Sequence, residues 1–158
     1  SQEDKLRLWT TDASGGFTKA SGWKTAAQAT ALDWETTFDL NINGDDIIGK
    51  PEDANNDGLV DGLTNYHLFH KNQAIALTDK AGSTLSDSSS ALWNVVAAKK
   101  QGPGFKVLVD GAASQEGRFR LWITNASGGF TKASGWKTAE QAVENEWDSL
   151  FSLPTDFF

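Results

Sequence analysis

Between Asp53 and Thr64 the chain reads Asp-Ala-Asn-Asn-Asp-Gly-Leu-Val-Asp-Gly-Leu-Thr, with oxygen-bearing side chains at every second residue from Asp53 to Asp57 and again at Asp61. Oxygen donors alternating in this way are what a hard cation such as calcium requires. Counted as a calcium loop of EF-hand type, Asp53, Asn55, Asp57 and Asp61 fall at positions 1, 3, 5 and 9. Gly58 stands at position 6 where the backbone must turn sharply, Leu59 offers its carbonyl at position 7, and Val60 is the apolar anchor that follows. Position 12 is Thr64 where that motif carries a bidentate Glu, and the residues beyond it read as strand rather than helix. A solvated Asn/Asp/Gly turn is the bland alternative, but a turn has no need of so regular an alternation of ligands.

A second loop lies just upstream, from Asn41 to Glu52. Asn41, Asn43 and Asp45 take positions 1, 3 and 5, Ile47 offers its carbonyl, Ile48 is the apolar anchor and Glu52 falls at position 12. Position 1 is neutral, and position 6 is Asp46 where the turn favours Gly and its freedom at positive φ. Fewer charges and a strained turn predict weaker binding here than at Asp53 to Thr64.

The charge distribution points the same way. The chain carries a net charge of −7, and from Asp33 to Asp61 nine acidic residues stand against one base, Lys50. Carboxylates packed so densely repel one another unless solvent or a cation intervenes. An acidic surface argues against nucleic acid as a partner. The chain has no Cys, which removes thiolate metal sites and Cys nucleophiles, and no apolar run long enough to cross a membrane. His67 and His70, three apart in an expected strand, point to opposite faces and are read as structural. No nucleophile elbow or phosphate-cradling Gly loop occurs, so an enzyme is not expected.

The elements that must position these loops follow from a duplication. With an offset of 113, 22 of the 32 residues from Arg7 to Phe38 recur from Arg120 to Phe151, and Ala13 to Ala26 recur without change. Only one copy of the block between, roughly Leu63 to Gly117, is present. The chain therefore reads as the latter half of one repeat (1–40), a calcium-loop junction (41–64) and a complete repeat (65–158) that closes like a capping unit. Alternating apolar residues predict strands over Leu6–Thr11, Tyr66–His70, Ala74–Thr78, Leu92–Ala98, Phe105–Asp110 and Arg118–Thr124. Capping boxes at Thr25/Gln28 and Thr138/Gln141 predict one helix per repeat, with Trp34, Phe38, Trp147 and Phe151 in the core. The expected fold is α+β, an antiparallel β-meander with one packed helix per repeat. Trp9/Trp122, Trp23/Trp136 and Trp34/Trp147 recur as repeat-core residues would, leaving Trp93 as the one Trp without a counterpart.

With these residues in view, the stretch Trp34-Glu-Thr-Thr-Phe38-Asp-Leu-Asn41-Ile-Asn43-Gly-Asp45-Asp46-Ile-Ile-Gly49 resembles the Trp-rich repeats near the C-terminal ends of large calcium-binding, RTX-type exported proteins of aquatic bacteria and cyanobacteria. Leu77-Thr-Asp-Lys-Ala-Gly, Trp93-Asn-Val-Val-Ala-Ala and Gly104-Phe-Lys-Val-Leu are similar to strands of that family. The resemblance implies type I secretion, calcium binding outside the cell, and a surface-layer, adhesin or exoprotein setting without catalysis. It departs from the family pattern at Asn41 and Asp46. The expected cofactor is Ca2+, and the expected partners are neighbouring repeats, with a glycan or cell-surface ligand as the alternative, lectin-like reading. The first copy of the duplicated segment is expected to dock within its own chain through the loops rather than swap into another molecule, leaving a monomer.

Overall fold

The computed structural model describes residues 4–154 and 156–158, and the chain divides into two compact units, Ser1–Lys50 and Pro51–Phe158. The division falls inside the expected junction and within the upstream loop, separating Pro51 and Glu52 from the rest of it.

In the first unit β1 (Trp9–Thr11) pairs antiparallel with β2 (Phe17–Ala20). The connection is built by Asp12, whose Oδ1 accepts from the amides of Ser14 and Gly16 at 2.9 and 2.8 Å. The Ser14 hydroxyl, followed by these amides, holds the Asp12 carboxyl below the usual carboxylate range. The strand expected from Leu6 is shorter because the Ser21 hydroxyl accepts from the Leu8 amide at 2.9 Å, leaving only a lone bridge between Leu6 and Lys24. Two short helices follow, α1 (Ala26–Ala31) and α2 (Trp34–Phe38).

In the second unit β3 (His67–His70) and β4 (Gln73–Ala76) form a hairpin whose two turn residues, Lys71 and Asn72, both take positive φ, at 51° and 59°. This is the turn whose twist matches a two-residue hairpin. The principal sheet runs β5 (Trp93–Gln101), β6 (Gly104–Gly111), β7 (Arg118–Thr124) and β8 (Phe130–Ala133), with the short β9 (Lys137–Thr138) also on β7 and every pair antiparallel. Two further helices, α3 (Ala139–Glu144) and α4 (Trp147–Phe151), complete it. The architecture is mostly antiparallel sheet with short helices, a mixed α+β class.

Side chains alternate across β6, which is buried on both faces. Phe105, Val107 and Val109 join Leu68, Leu77, Val95, Ala98 and Trp122 in one cluster, while Leu108 joins Ala97, Phe119, Ala142, Trp147 and Phe151 in the other. The second cluster is where α3 and α4 cover the sheet, and Phe158 adds an edge-to-face contact to Phe119 at 4.6 Å.

The duplicated segments fold alike in detail. Arg7 and Arg120 donate to the carbonyls of Ser21 and Ser134 at 3.0 and 2.7 Å, and lie over Trp23 and Trp136 at 5.6 and 5.7 Å. Both capping boxes form with both of their hydrogen bonds. The single helix expected after each box is instead two, broken by one left-handed residue, Asp33 at φ 59° and Glu146 at φ 58°. That residue reverses the chain so that Trp34 and Trp147 are buried, at 8% and 6% exposure. Phe38, four residues after Trp34 in the same short helix, is 52% exposed rather than in the core, whereas Phe151 at the equivalent place is buried. Trp9 and Trp23, read as core from their recurrence, are also exposed.

Tyr66 joins hairpin and sheet. Its hydroxyl donates to Asp87 and accepts from the Val95 amide at 3.1 Å, next to the bulge in β5 between Val95 and Ala97. Burial and then the bond to Asp87 push its phenol up to about 12. Tyr66→Phe strands the Val95 amide, and is expected to cost about 1–2 kcal/mol in urea unfolding near neutral pH. Because the folded phenol titrates above its unfolded value near 10, the stability it contributes is complete below about pH 10 and is lost as pH rises toward 12. The gap between wild type and Tyr66→Phe should therefore close across that window, and a gap independent of pH would refute the assignment.

Candidate metal centre

The loop from Asp53 is a chain of side-chain-to-backbone turns. Asn55 Oδ1 accepts from the Asp57 amide at 3.1 Å, and Asp57 Oδ1 accepts from the Leu59 amide at 2.7 Å. Asp53 Oδ2 accepts from the Gly58 amide at 3.0 Å, and Asp61 Oδ2 reaches back to the Ala54 amide at 2.6 Å. Each carboxylate thus spends one oxygen on holding the backbone curved. Asp53 Oδ1 is buried and has no hydrogen-bond partner. A carboxylate oxygen taken out of water without a partner is costly, and a bound cation would satisfy it. The residues fit a calcium ion on this observation: Asp53, Asn55, Asp57 and Asp61 would supply side-chain oxygens and Leu59 its carbonyl.

The loop is seated on the sheet. The Asp57 carbonyl accepts from the Ala98 amide of β5 at 2.7 Å, and the Phe69 amide donates to the Gly58 carbonyl at 2.8 Å. Gly58 has φ +82°, and a Cβ there would lie 1.9 Å from the Ala98 carbonyl oxygen, so this position requires glycine on both counts. Val60, the expected anchor, is buried. Burial raises the Asp57 carboxyl above the usual range, and the charges of Asp53 and Asp61 add to the rise against the opposing bonds from Leu59 and Asn55. Thr64 is exposed and no hydrogen bond ties it to the loop among the described residues.

The upstream loop repeats the same internal pattern. Asn43 Oδ1 accepts from the Asp45 amide at 3.0 Å, Asp45 Oδ1 accepts from the Ile47 amide at 3.0 Å, and Asn43 Nδ2 donates to Asp45 Oδ2 at 2.7 Å. The last bond corresponds to that of Asn55 Nδ2 to Asp57 Oδ2 at 2.9 Å. Positions 4 and 6 are left-handed in both loops, as Gly44 and Asp46 (φ 73° and 66°) and as Asn56 and Gly58 (φ 61° and 82°). The glycine has merely changed places between them. Asn41 differs from Asp53, because its Oδ1 accepts from the Gly44 amide at 2.8 Å and brings no charge. Ile48, expected as the anchor, is 49% exposed. Glu52 lies exposed in the second unit, where its carbonyl accepts from the Asp61 amide at 2.9 Å.

What anchors the upstream loop is Glu35, which the spacing of ligands did not single out. It is fully buried; its Oε1 accepts from the amides of Ile42 and Asn43 at 2.8 and 3.1 Å, and its Oε2 from that of Gly49 at 3.1 Å. A signal was present in the duplication: Glu35 corresponds to Asp148, one methylene shorter, in the copy where Ser152-Leu-Pro-Thr stands in place of Asp39-Leu-Asn-Ile.

His67 is buried with Nδ1 3.1 Å from the Asn65 carbonyl, and His70 packs edge-on against Phe105 at 6.0 Å, both structural settings. Among the described residues no three His, Cys, Asp or Glu side chains converge closely enough to hold a metal by themselves. Calcium loops draw in addition on amide and backbone oxygens, which Asn55 and Leu59 would supply here. No protein-family model matches the chain, and no curated protein or solved structure is similar to it.

Proposed function

We propose that this chain is a non-catalytic calcium-binding module, one unit of a tandem-repeat surface or exported protein, whose fold calcium rigidifies outside the cell. The observation that carries the reading is the buried, unpartnered Asp53 Oδ1 in a loop curved by bonds from its own Asp and Asn side chains to its backbone. The acidic stretch around it and the absence of any nucleophile arrangement support the same reading. The upstream loop is a second, weaker site, since Asn41 replaces a carboxylate.

An ion bound only by the folded state raises stability by mass action, by about 2.7 kcal/mol when free calcium stands roughly a hundredfold above its dissociation constant. Thermal melts in millimolar calcium and in excess chelator measure this, with equal midpoints refuting the proposal. Asp57→Asn separates binding from folding. Its carboxyl is raised by burial and by two neighbouring charges, so without calcium the charged form weakens the fold at neutral pH. In chelator the variant should stay close to wild type, the relief of buried charge offsetting the lost bond from Asn55 Nδ2, while most of the calcium-dependent shift disappears.

A second reading, a carbohydrate-binding adhesin domain, is favoured by one feature. An open cleft of about 390 Å3 is lined by Asp79, Lys80, Leu85, Trp93, Trp122 and Phe130, and aromatic faces beside polar groups suit sugar rings. Glycan-array binding that Trp93→Ala abolishes would establish it.

A further inference from the structure

The two copies of the duplicated segment differ in what covers them. In the second copy Trp122 is 7% exposed, meets Trp93 edge-to-face at 4.7 Å, and lies on β7, which pairs with β6. Its hairpin glycine, Gly128, sits so close to β4 that a Cβ would lie 2.2 Å from the Ala76 carbonyl oxygen, and the Thr78 amide donates to its carbonyl at 3.2 Å. In the first copy the equivalent Trp9 is 66% exposed and Phe17 62%, β1 is hydrogen-bonded to β2 alone, and Gly15 faces open space. Arg7, Trp9, Phe17 and Ala20 line an open hollow of about 360 Å3. Trp122, Phe130, Ala133 and Gly128, which pack on the block in the second copy, recur as Trp9, Phe17, Ala20 and Gly15, yet among the described residues no such block covers them.

We infer that the exposed β1–β2 face is a docking surface for a β-block of the type formed by residues 65–111, supplied by a neighbouring repeat, which would add a β6-like strand to β1 and cover Trp9 with an indole in the place of Trp93. The occupant is read from the second copy, where the same side chains are covered by that block. The chain's own block is not available for this, because β6 has β5 on one edge and β7 on the other, with only the short connection 112–117 joining β6 to β7. A second molecule would have to displace that covalently tethered β7, so exchange is disfavoured by effective concentration. The duplication also extends upstream of β1: Ser1-Gln2-Glu3 repeats Ser114-Gln115-Glu116, the residues that lead from β6 into β7. A β6-like strand joined ahead of Ser1 would therefore meet β1 through the same connection. The inference rests on the repeat-module reading but not on calcium, so its test is run with calcium present throughout.

The test is to extend the whole chain ahead of Ser1 by a second copy of residues 63–113 and to follow amide hydrogen exchange. Docking predicts that amides 6–11 become protected roughly a hundredfold over the unextended chain, approaching those of 119–124, and that Trp9 emission shifts to the blue. Trp9→Gln should then destabilise the extended chain by far more than the unextended one, which loses only the edge-to-face contact with Phe17. Unprotected amides at 6–11, or an added block that itself exchanges freely, would overturn the inference. So would a stable dimer of the unextended chain in which Trp9 becomes buried, since a second copy would then be the occupant.

Discussion

Gly58→Ala is expected to be the most damaging single-atom-scale change in the second unit, lowering its stability by about 3 kcal/mol and weakening calcium binding at least tenfold. Two costs combine. A left-handed backbone is unfavourable for Ala by roughly 1–2 kcal/mol, and the new Cβ would lie 1.9 Å from the Ala98 carbonyl oxygen, a backbone atom that cannot swing away. Relief requires the loop to lift from β5, which breaks the bond from the Ala98 amide to the Asp57 carbonyl. The same substitution at Gly44 provides the control, because its φ is +73° but nothing lies within 4 Å of its Cβ position. There only the conformational cost applies, about 1 kcal/mol. Denaturant unfolding and calcium titration of both variants measure the difference, and equal losses would show that the contact with Ala98 carries no weight.

Glu35→Ala should release the upstream loop. Three amides, those of Ile42, Asn43 and Gly49, lose their only side-chain acceptor, and a buried donor left unpaired costs roughly 1–3 kcal/mol, part of which entering water recovers. A loss of about 3 kcal/mol from the first unit is expected, read by hydrogen exchange at those three amides. Glu35→Gln keeps one acceptor oxygen, which can serve Ile42 and Asn43 but turns an amide group toward Gly49, so a smaller loss of about 1 kcal/mol is expected. Undiminished protection at the three amides in Glu35→Ala would sink the assignment.

Local chemistry was legible from the residues alone. The capping boxes at Thr25 and Thr138 formed as read, since each needs only residues three apart. The alternation of Asn and Asp in both loops specified much of their curved backbone, because Asn43, Asp45, Asn55 and Asp57 each bond an amide two residues on and no distant contact is needed. The duplicated segments adopt matching hydrogen bonds for the same reason. Where a partner lies far along the chain, the residues were silent. The close approach of Ala98, forty residues later, which adds to the turn's own demand for glycine at position 58, was not legible, nor was the burial of Glu35 under amides that fold back over it. The helix breaks at Asp33 and Glu146 escaped the helical period, because one left-handed residue resets which side chains share a face. Exposure of Trp9 against burial of Trp122 is the clearest case, since the local sequences are nearly the same and only the block packed on the second copy tells them apart. Sequence determined what each segment can form by itself; tertiary structure decided which of its faces is covered, because burial depends on what else is there to exclude water.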